Sequence, residues 1–254
     1  MGVEPPFLYK AGGVRSMKQR DFLWGLCEMP GARSIFGIAM KRGHWASGGS
    51  LMFWDRVAPL YDFFESTFNR AVYDGTGVAV AQLVGLEDEV LECACGTGAI
   101  STFLAPMCKK LVATDFSEGM LKQARKKLAK YRNVTVERAD IAKLHYADDS
   151  FDVVIAGNVI HLLPDPGAAM RELERIVRPG GTIVVPTYVK RRSSKQGIIP
   201  KILAKLGADF KEQFDVDSYR AFFEKLGYRN VTYTLIDGRI PCVIASFTCN
   251  NDDQ

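Results

Sequence analysis

The sequence predicts an α/β fold built on a mostly parallel sheet of seven strands, doubly wound by helices and ending in a C-terminal antiparallel hairpin strand. Short apolar runs and helical patterns alternate five times between residues 89 and 187, which favours parallel strands joined by right-handed crossovers. Two further apolar runs, 231–237 and 240–249, are separated only by Gly238 and Arg239, as in a hairpin. In such sheets, ligands bind beyond the carboxyl ends of the strands.

The strands of the parallel part are predicted from short apolar runs bounded by polar or turn-forming residues. The first run leads into a glycine-rich turn, and the second ends at Asp115. The five predicted strands are 89–93, 110–115, 133–138, 151–157 and 181–187.

The helices follow from apolar residues at helical spacing. Two are predicted between 54 and 84, and Gly75 and Gly77 are expected to separate them. Ser117 suits the cap of the helix after the second strand, with Glu118 in its first turn. Further helices are predicted at 98–107, 166–177 and 217–226.

Residues 1–51 show no sustained helical or strand period, and they contain several Pro and Gly pairs typical of loops. We therefore place the domain at 52–254 and treat 1–51 as an N-terminal extension. Three interpretations of the extension stay open: a flexible tail, a lid or oligomerisation arm, and upstream sequence that precedes a true start at Met52.

The charge of the chain is concentrated in this extension. Residues 1–51 hold seven basic and three acidic residues, which leaves 26 of each sign in 52–254 from totals of 33 and 29. Because a neutral domain has no basic field for a polyanion, the charge counts against a nucleic-acid partner.

Targeting and metal signals are missing from the sequence. No window approaches about 18 consecutive apolar residues, and the first residues lack the pattern of a secretory signal. The six cysteines form no Cys-x-x-Cys pair and only three histidines accompany them, so no metal site is expected. The cysteine spacing is not that of a disulfide framework either, so we expect reduced thiols in a cytoplasmic protein.

The turn after the first strand carries the chemical signal. Its Gly96-Thr97-Gly98 segment lets the backbone approach a ligand closely and opens a helix whose amides face that ligand. Asp115 follows Gly98 by 17 residues at the end of the next strand, where a carboxylate can accept both ribose hydroxyls of an adenosine. Asp140 ends the third strand, where it could meet the adenine edge. Together these residues predict a nucleoside cofactor, S-adenosylmethionine in particular.

Two other interpretations of these residues are possible in principle. A nicotinamide-binding fingerprint requires a third small residue, Gly or Ala, and Ser101 stands at that position instead. A dinucleotide also needs a second half-domain, for which 52–254 is short. Alternatively, Asp115 and Asp140 merely cap loops.

From Phe53 to Cys249 the chain resembles the class I S-adenosylmethionine-dependent methyltransferases, and within them the group that includes the ubiquinone and menaquinone C-methyltransferases. This resemblance implies a Rossmann-like sheet. The segments that carry it are 53–62, 90–98, 112–120, 139–140, 151–164 and 177–181.

The resemblance also implies where the methionine part of the cofactor binds. Glu92 would lie near its amino group, and Asn158, at the end of the fourth strand, would lie beside the sulfonium methyl. The backbone of the turn would surround the same part through Cys93, Ala94, Gly96 and Gly98. Ala94 replaces the family's usual first glycine, and its methyl is tolerated if φ stays negative.

The nucleoside part is assigned to the next two strands. By resemblance, Asp115 would hold the ribose and Tyr61 would cover the cofactor from the N-terminal helix. The residues expected around the adenine are Phe116 and Met120, which flank it, and Asp140 and Ile141 at its edge.

Two residues are candidates for work on the methyl acceptor. His161 follows Asn158 by three residues, and its ordinary pKa suits a general base near neutrality. A base is needed only if the nucleophile keeps its proton, and His161 could instead order the loop. Tyr188, just past the fifth strand, could orient the substrate.

Residues 189–213 are predicted to form a cap over the pocket. Their basic, apolar part, 190–206, fits either a cap helix or peripheral contact with a membrane surface. The leading hypothesis is methylation of a small-molecule or lipid-like acceptor. A nucleic-acid methyltransferase is disfavoured because 157–160 lacks the Pro-Pro-aromatic pocket for a flipped base. A catalytically silent cofactor-binding protein is the third interpretation, and the sequence leaves the attacked atom and the oligomeric state open.

Overall fold

The computed structural model describes residues 54, 55, 58, 69–190 and 213–249. The extension 1–51, Tyr61 and most of the predicted cap lie outside these residues. The described strands form one seven-stranded sheet, so the predicted α/β class is confirmed.

The strands in chain order are β1 Glu89–Cys93, β2 Lys110–Asp115, β3 Val134–Arg138, β4 Phe151–Ala156, β5 Val177–Tyr188, β6 Thr232–Ile236 and β7 Cys242–Thr248. They lie in the order β3-β2-β1-β4-β5-β7-β6 in the sheet. Strands β1 to β5 run parallel, whereas β7 is antiparallel to both β5 and β6, as the hairpin pattern predicted. The carboxyl ends of β1, β2, β3, β4 and β5 therefore share one edge.

The helices connect these strands. They are α1 Arg70–Ala81, α2 Ser101–Leu104, α3 Glu118–Leu128, α4 Pro166–Ile176 and α5 Val216–Lys225, with 3-10 turns at Ala105–Met107 and Ile160–Leu162. Ser117 caps α3 by accepting a hydrogen bond from Met120 N at 3.1 Å, as predicted, and Asp165 and Asp215 cap α4 and α5 in the same way.

The prediction that Gly75 and Gly77 separate two helices was wrong, because both lie inside α1. A Cβ at Gly77 would lie 2.3 Å from the Phe103 ring, and one at Gly75 would lie 2.8 Å from Ile236 Cγ2. These glycines therefore let α1 pack closely, and the contacts outweigh the low helix propensity of glycine, about 1 kcal/mol relative to alanine.

Alternate side chains along the strands pack on opposite faces of the sheet. Leu91 and Val154 belong to the buried cluster that includes α4 and α5, whereas Val90 and Ile155 belong to the cluster that includes α1 and α2. Both faces of the sheet are packed against helices, and in sheets of this kind ligands bind at the carboxyl ends of the strands.

The described residues on either side of the predicted cap lie beside the carboxyl end of β5. Lys190 N donates to Phe214 O at 2.9 Å, and Val189 N donates to Pro241 O at 2.9 Å. Residues 191–212 lie outside the described part of the chain. The cap itself and its membrane contact stay predictions.

Candidate cofactor and acceptor site

The glycine-rich turn is held between the ends of β1 and β2. Cys95 N donates to Thr114 O at 2.8 Å, and Gly98 N donates to Cys95 O at 2.9 Å. Gly96 and Gly98 have φ values of +56° and +82°, which glycine adopts readily. Among the described residues, no heavy atom lies within 4 Å of the position of a Cβ at Gly96. The turn therefore borders open space, and a ligand could approach its backbone.

Asp115 joins this turn to the helix that follows β2. Its Oδ2 accepts from Gly96 N at 2.9 Å, and its Oδ1 accepts from Ser117 N at 2.8 Å. Burial raises the pKa of Asp115, and the backbone donors counteract that rise. Each carboxylate oxygen keeps a second lone pair, which suits the ribose role predicted for this residue.

Glu92 is a buried acid beneath the turn. Only 1% of the residue is exposed, and its Oε2 accepts a hydrogen bond from Ser101 Oγ at 2.5 Å. Burial raises its pKa to about 8, because removal from water disfavours the carboxylate. A cationic ligand group would stabilise its charged form, as expected for the amino group of the cofactor.

The two cysteines of this segment belong to the interior. Cys93 is fully buried, and its carbonyl accepts from Gly157 N at 3.1 Å. Burial raises the pKa of its thiol to about 12 and that of Cys95 well above its ordinary value, so both thiols are neutral. Cys93 and Cys95 both carry free thiols.

The residues predicted around the adenine lie at the ends of β2 and β3. Ala139 N donates to Asp115 O at 3.2 Å, which joins the two strand ends. Asp140 is exposed and accepts from Ala142 N at 3.0 Å, while Ile141 is buried. The two residues expected to flank the adenine differ in exposure, since Met120 is buried and Phe116 is 44% exposed.

The end of β4 approaches the end of β5. Asn158 N donates to Pro186 O at 2.9 Å, and Asn158 Oδ1 accepts from Tyr188 N at 3.1 Å. Asn158 itself adopts φ +51°, a conformation that asparagine tolerates better than most residues. The structure thus brings two predicted site residues, Asn158 and Tyr188, together.

His161 follows in the 3-10 turn after β4 and is half-buried. Burial lowers its pKa to about 4, because it disfavours the imidazolium. The imidazole is therefore neutral at neutral pH, which is the state that a proton acceptor requires.

Residues 91–185 match a family of known proteins described as a methyltransferase domain. The chain contains an S-adenosylmethionine-dependent methyltransferase domain. This finding agrees with the family that the sequence resembles and with the cofactor predicted from the turn.

The methyltransferase domain is also similar to individual proteins. It is 40% identical over 107 residues to a demethylmenaquinone methyltransferase of Clavibacter sepedonicus, covering 42% of this chain and 43% of that protein. A demethylmenaquinone methyltransferase of Staphylococcus aureus (strain JH9) is 27% identical over 175 residues, covering 60% of this chain and 72% of that protein. The chain thus spans less than half of the first relative.

A solved structure shares the fold of the methyltransferase domain. The S-adenosylmethionine-dependent methyltransferase of Thermotoga maritima superimposes with a TM-score of 0.59 at 23% identity, covering 78% of this chain and 98% of the other. The Rossmann-like sheet that the resemblance implied is confirmed by this similarity and by the strand order.

Three residues near the candidate site were not predicted from the sequence. Ser101 donates a hydrogen bond to Glu92, and Asp55 accepts one from Ser117 at the start of α3. The guanidinium of Arg138 lies 4.8 Å from the centroid of the Phe116 ring. Arg138 Nε also donates to Phe116 O at 3.1 Å, so it fixes the residue expected to flank the adenine. Neither ion-pair spacing nor helical periodicity signals these contacts.

Ala94 does not meet the condition stated for it, because its φ is +55° rather than negative. The left-handed conformation costs an L-residue roughly 1–2 kcal/mol, of which glycine avoids most. The methyl at this first position of the turn therefore strains the methyltransferase domain.

We expect Ala94→Gly to raise the free energy of unfolding by about 0.5–1 kcal/mol, measured by urea denaturation. The matched control is Ala99→Gly, five residues later, where φ is not positive and glycine should lower stability by up to about 1 kcal/mol. Equal destabilisation by both changes would contradict the strain at Ala94.

Two further features of the described residues concern metal ions and membranes. These residues hold no group of three or more His, Cys, Asp and Glu side chains placed to bind a metal ion. No helix among them is long and apolar enough to cross a membrane.

Proposed function

We propose that the protein transfers a methyl group from S-adenosylmethionine to a small, apolar acceptor of the lipid or quinone type. The observation that carries the transfer is the cradle formed by the open turn at Gly96, the buried Glu92 and the Asp115 carboxylate at neighbouring strand ends. The acceptor class is supported by the printed names of the relatives, which are demethylmenaquinone methyltransferases.

The residues present fit the cofactor. The Asp115 oxygens, already oriented by two backbone amides, would accept the ribose hydroxyls. Glu92, with little access to water, would pair with the amino group. The exposed ring of Phe116, held by Arg138, would flank the adenine.

The chemistry requires little from the protein beyond alignment. When bound, the cofactor supplies an electrophilic methyl on a sulfonium, which is already a good leaving group. Asn158 and Tyr188, joined at 3.1 Å, would orient the acceptor at the ends of β4 and β5. His161, neutral at physiological pH, would accept a proton from an acceptor that carries one.

We expect His161→Gln to lower kcat by about 10- to 100-fold with little change in the KM for the cofactor. Because the pKa of His161 is about 4, its protonation should not reduce wild-type activity between pH 5.5 and 8. His145→Gln, at an exposed histidine, is the matched control and should leave kcat unchanged. Near-normal turnover of the His161 variant would remove it as the base.

The function is tested with methyl-tritiated S-adenosylmethionine and a panel of acceptors. A short-chain demethylmenaquinone, simple phenols and amines, and single- and double-stranded oligonucleotides are compared under the same conditions. We expect label on the quinone or on another apolar acceptor. Label on the oligonucleotides would favour the nucleic-acid alternative, and cofactor binding without transfer to any acceptor would favour a silent binding protein.

A further inference from the structure

Asp55 lies against the amino-terminal end of α3, far from its place in the sequence. Its Oδ1 accepts from Ser117 Oγ at 2.6 Å and from Gly119 N at 2.9 Å, across separations of 62 and 64 residues. Trp54, Asp55 and Ala58 are helical, and Ala58 is only 1% exposed. Asp55 is therefore attached to the junction between β2 and α3.

Ser117 connects this contact to the acid at the end of β2. Its backbone N donates to Asp115 Oδ1 at 2.8 Å while its hydroxyl donates to Asp55. Its Oγ also accepts from Met120 N at 3.1 Å. One serine thus lies between two carboxylates, and the negative charge of Asp55 contributes to the raised pKa of Asp115. Asp55 and Asp115 are thus linked through a single residue.

Gly119 provides a second, independent adaptation to the same contact. A Cβ at this position would lie 2.6 Å from Asp55 Cα and 2.8 Å from Asp55 O. Both are backbone atoms, which cannot move aside as the end of a flexible side chain can. Any larger residue at position 119 would therefore push Asp55 away from α3.

We propose that Asp55 is a positioning residue for the cofactor site, which binds Ser117 and thereby holds the Asp115 carboxylate in the geometry that receives the nucleoside. The proposal rests on the proposed cofactor site at Asp115. Ser117 contacts both Asp55 and Asp115. Attachment of Asp55 to Ser117 therefore strengthens cofactor binding, and cofactor binding strengthens this attachment by the same factor.

Trp54 provides a direct optical reporter of the attachment. The chain has three tryptophans, so the double change Trp24→Phe and Trp45→Phe leaves Trp54 as the only one. In the full-length chain, we expect Asp55→Ala to shift the Trp54 emission to the red without ligand and to weaken S-adenosylhomocysteine binding about 10-fold. Asp55→Asn should keep the Trp54 emission and the S-adenosylhomocysteine affinity of the wild type, because its amide oxygen can accept the same two hydrogen bonds.

Gly119→Ala tests the contact without changing a hydrogen-bonding side chain. Alanine favours helix formation over glycine, so a weakened α3 would not explain its effect. We expect the same red shift and about the same 10-fold loss of S-adenosylhomocysteine affinity. The control is Gly85→Ala, where the nearest atoms lie 3.4 Å from the added Cβ, and its affinity should match that of the wild type.

The outcomes separate this inference from the proposed function. Normal S-adenosylhomocysteine binding by the wild type, Asp55→Ala and Gly119→Ala would overturn the positioning role and leave the proposed function in place. Failure of the wild type to bind would overturn both. If Asp55→Ala does not fold, Gly119→Ala and Asp55→Asn decide: loss in the first and retention in the second support the role, and unchanged affinity in the first overturns it.

Discussion

Glu92→Gln is expected to weaken S-adenosylmethionine binding by at least about 100-fold while making the folded protein more stable at pH 8. The loss follows because a buried ammonium of the ligand would face a neutral amide instead of a carboxylate, which costs about 3 kcal/mol. Titration calorimetry measures the affinity. Glu89→Gln, three residues earlier in β1 and half-buried, is the control and should bind normally.

The gain in stability follows from the direction of the pKa shift. The folded protein keeps the Glu92 proton up to about pH 8, whereas the unfolded chain releases it near the ordinary value of 4.5. Between these values the folded state binds more protons, so wild-type stability falls as pH rises from 4.5 to about 8. Glutamine removes this loss, so the variant should gain roughly 2–4 kcal/mol at pH 8 and almost nothing at pH 4.

The same group should couple cofactor binding to proton release. At pH 7 Glu92 is largely protonated in the free protein, and pairing with the ligand ammonium favours its carboxylate. Calorimetry in two buffers with different ionisation enthalpies should therefore show release of up to about one proton by the wild type and none by Glu92→Gln. Zero release by the wild type would contradict the pairing of Glu92 with the ligand.

The sequence was sufficient to predict features that depend on neighbouring residues. The bounds of β1 and β2 agree with the prediction, because each is an apolar run ended by an acid or a turn. Asp115 and the turn were placed together because the carboxyl ends of parallel strands share an edge. Ser117 was identified as a cap because its role involves only the next three residues.

Features that depend on distant contacts were not predictable. The helix boundary expected at Gly77 does not occur, because glycine is needed there for α1 to pack against Phe103. The contact of Asp55 with Ser117 spans 62 residues and has no periodic signature. Backbone conformation at Ala94 is imposed by the turn around it, whereas local preference alone favours a negative φ.

Asp115→Asn is expected to weaken S-adenosylhomocysteine binding by about 100-fold or more, although the two side chains have the same shape. Both oxygens of Asp115 accept backbone amides, from Gly96 and from Ser117. Whichever way the asparagine amide turns, its NH2 group opposes one of these donors, and the turn must shift. Its NH2 also cannot accept a ribose hydroxyl.

The change in stability should be smaller than the change in binding. Opposed donors cost about 1–3 kcal/mol, but burial raises the pKa of Asp115, so removal of its charge offsets part of that cost. The net change should stay within about 1 kcal/mol. Asp165→Asn is the control, because the Asp165 carboxylate accepts Ala168 N at 2.9 Å as a helix cap and asparagine caps a helix equally well.

Adenosine distinguishes the roles of the two acids, because it carries the ribose and lacks the amino acid. Asp115→Asn should weaken adenosine and S-adenosylhomocysteine to a similar degree. Glu92→Gln should weaken S-adenosylhomocysteine and leave adenosine unchanged, since only the amino group would reach the buried carboxyl. Competition with a fluorescent adenosine analogue measures both. If Glu92→Gln also weakened adenosine, then Glu92 would support the turn instead of binding the ligand, and its bond with Ser101 would be its main contribution.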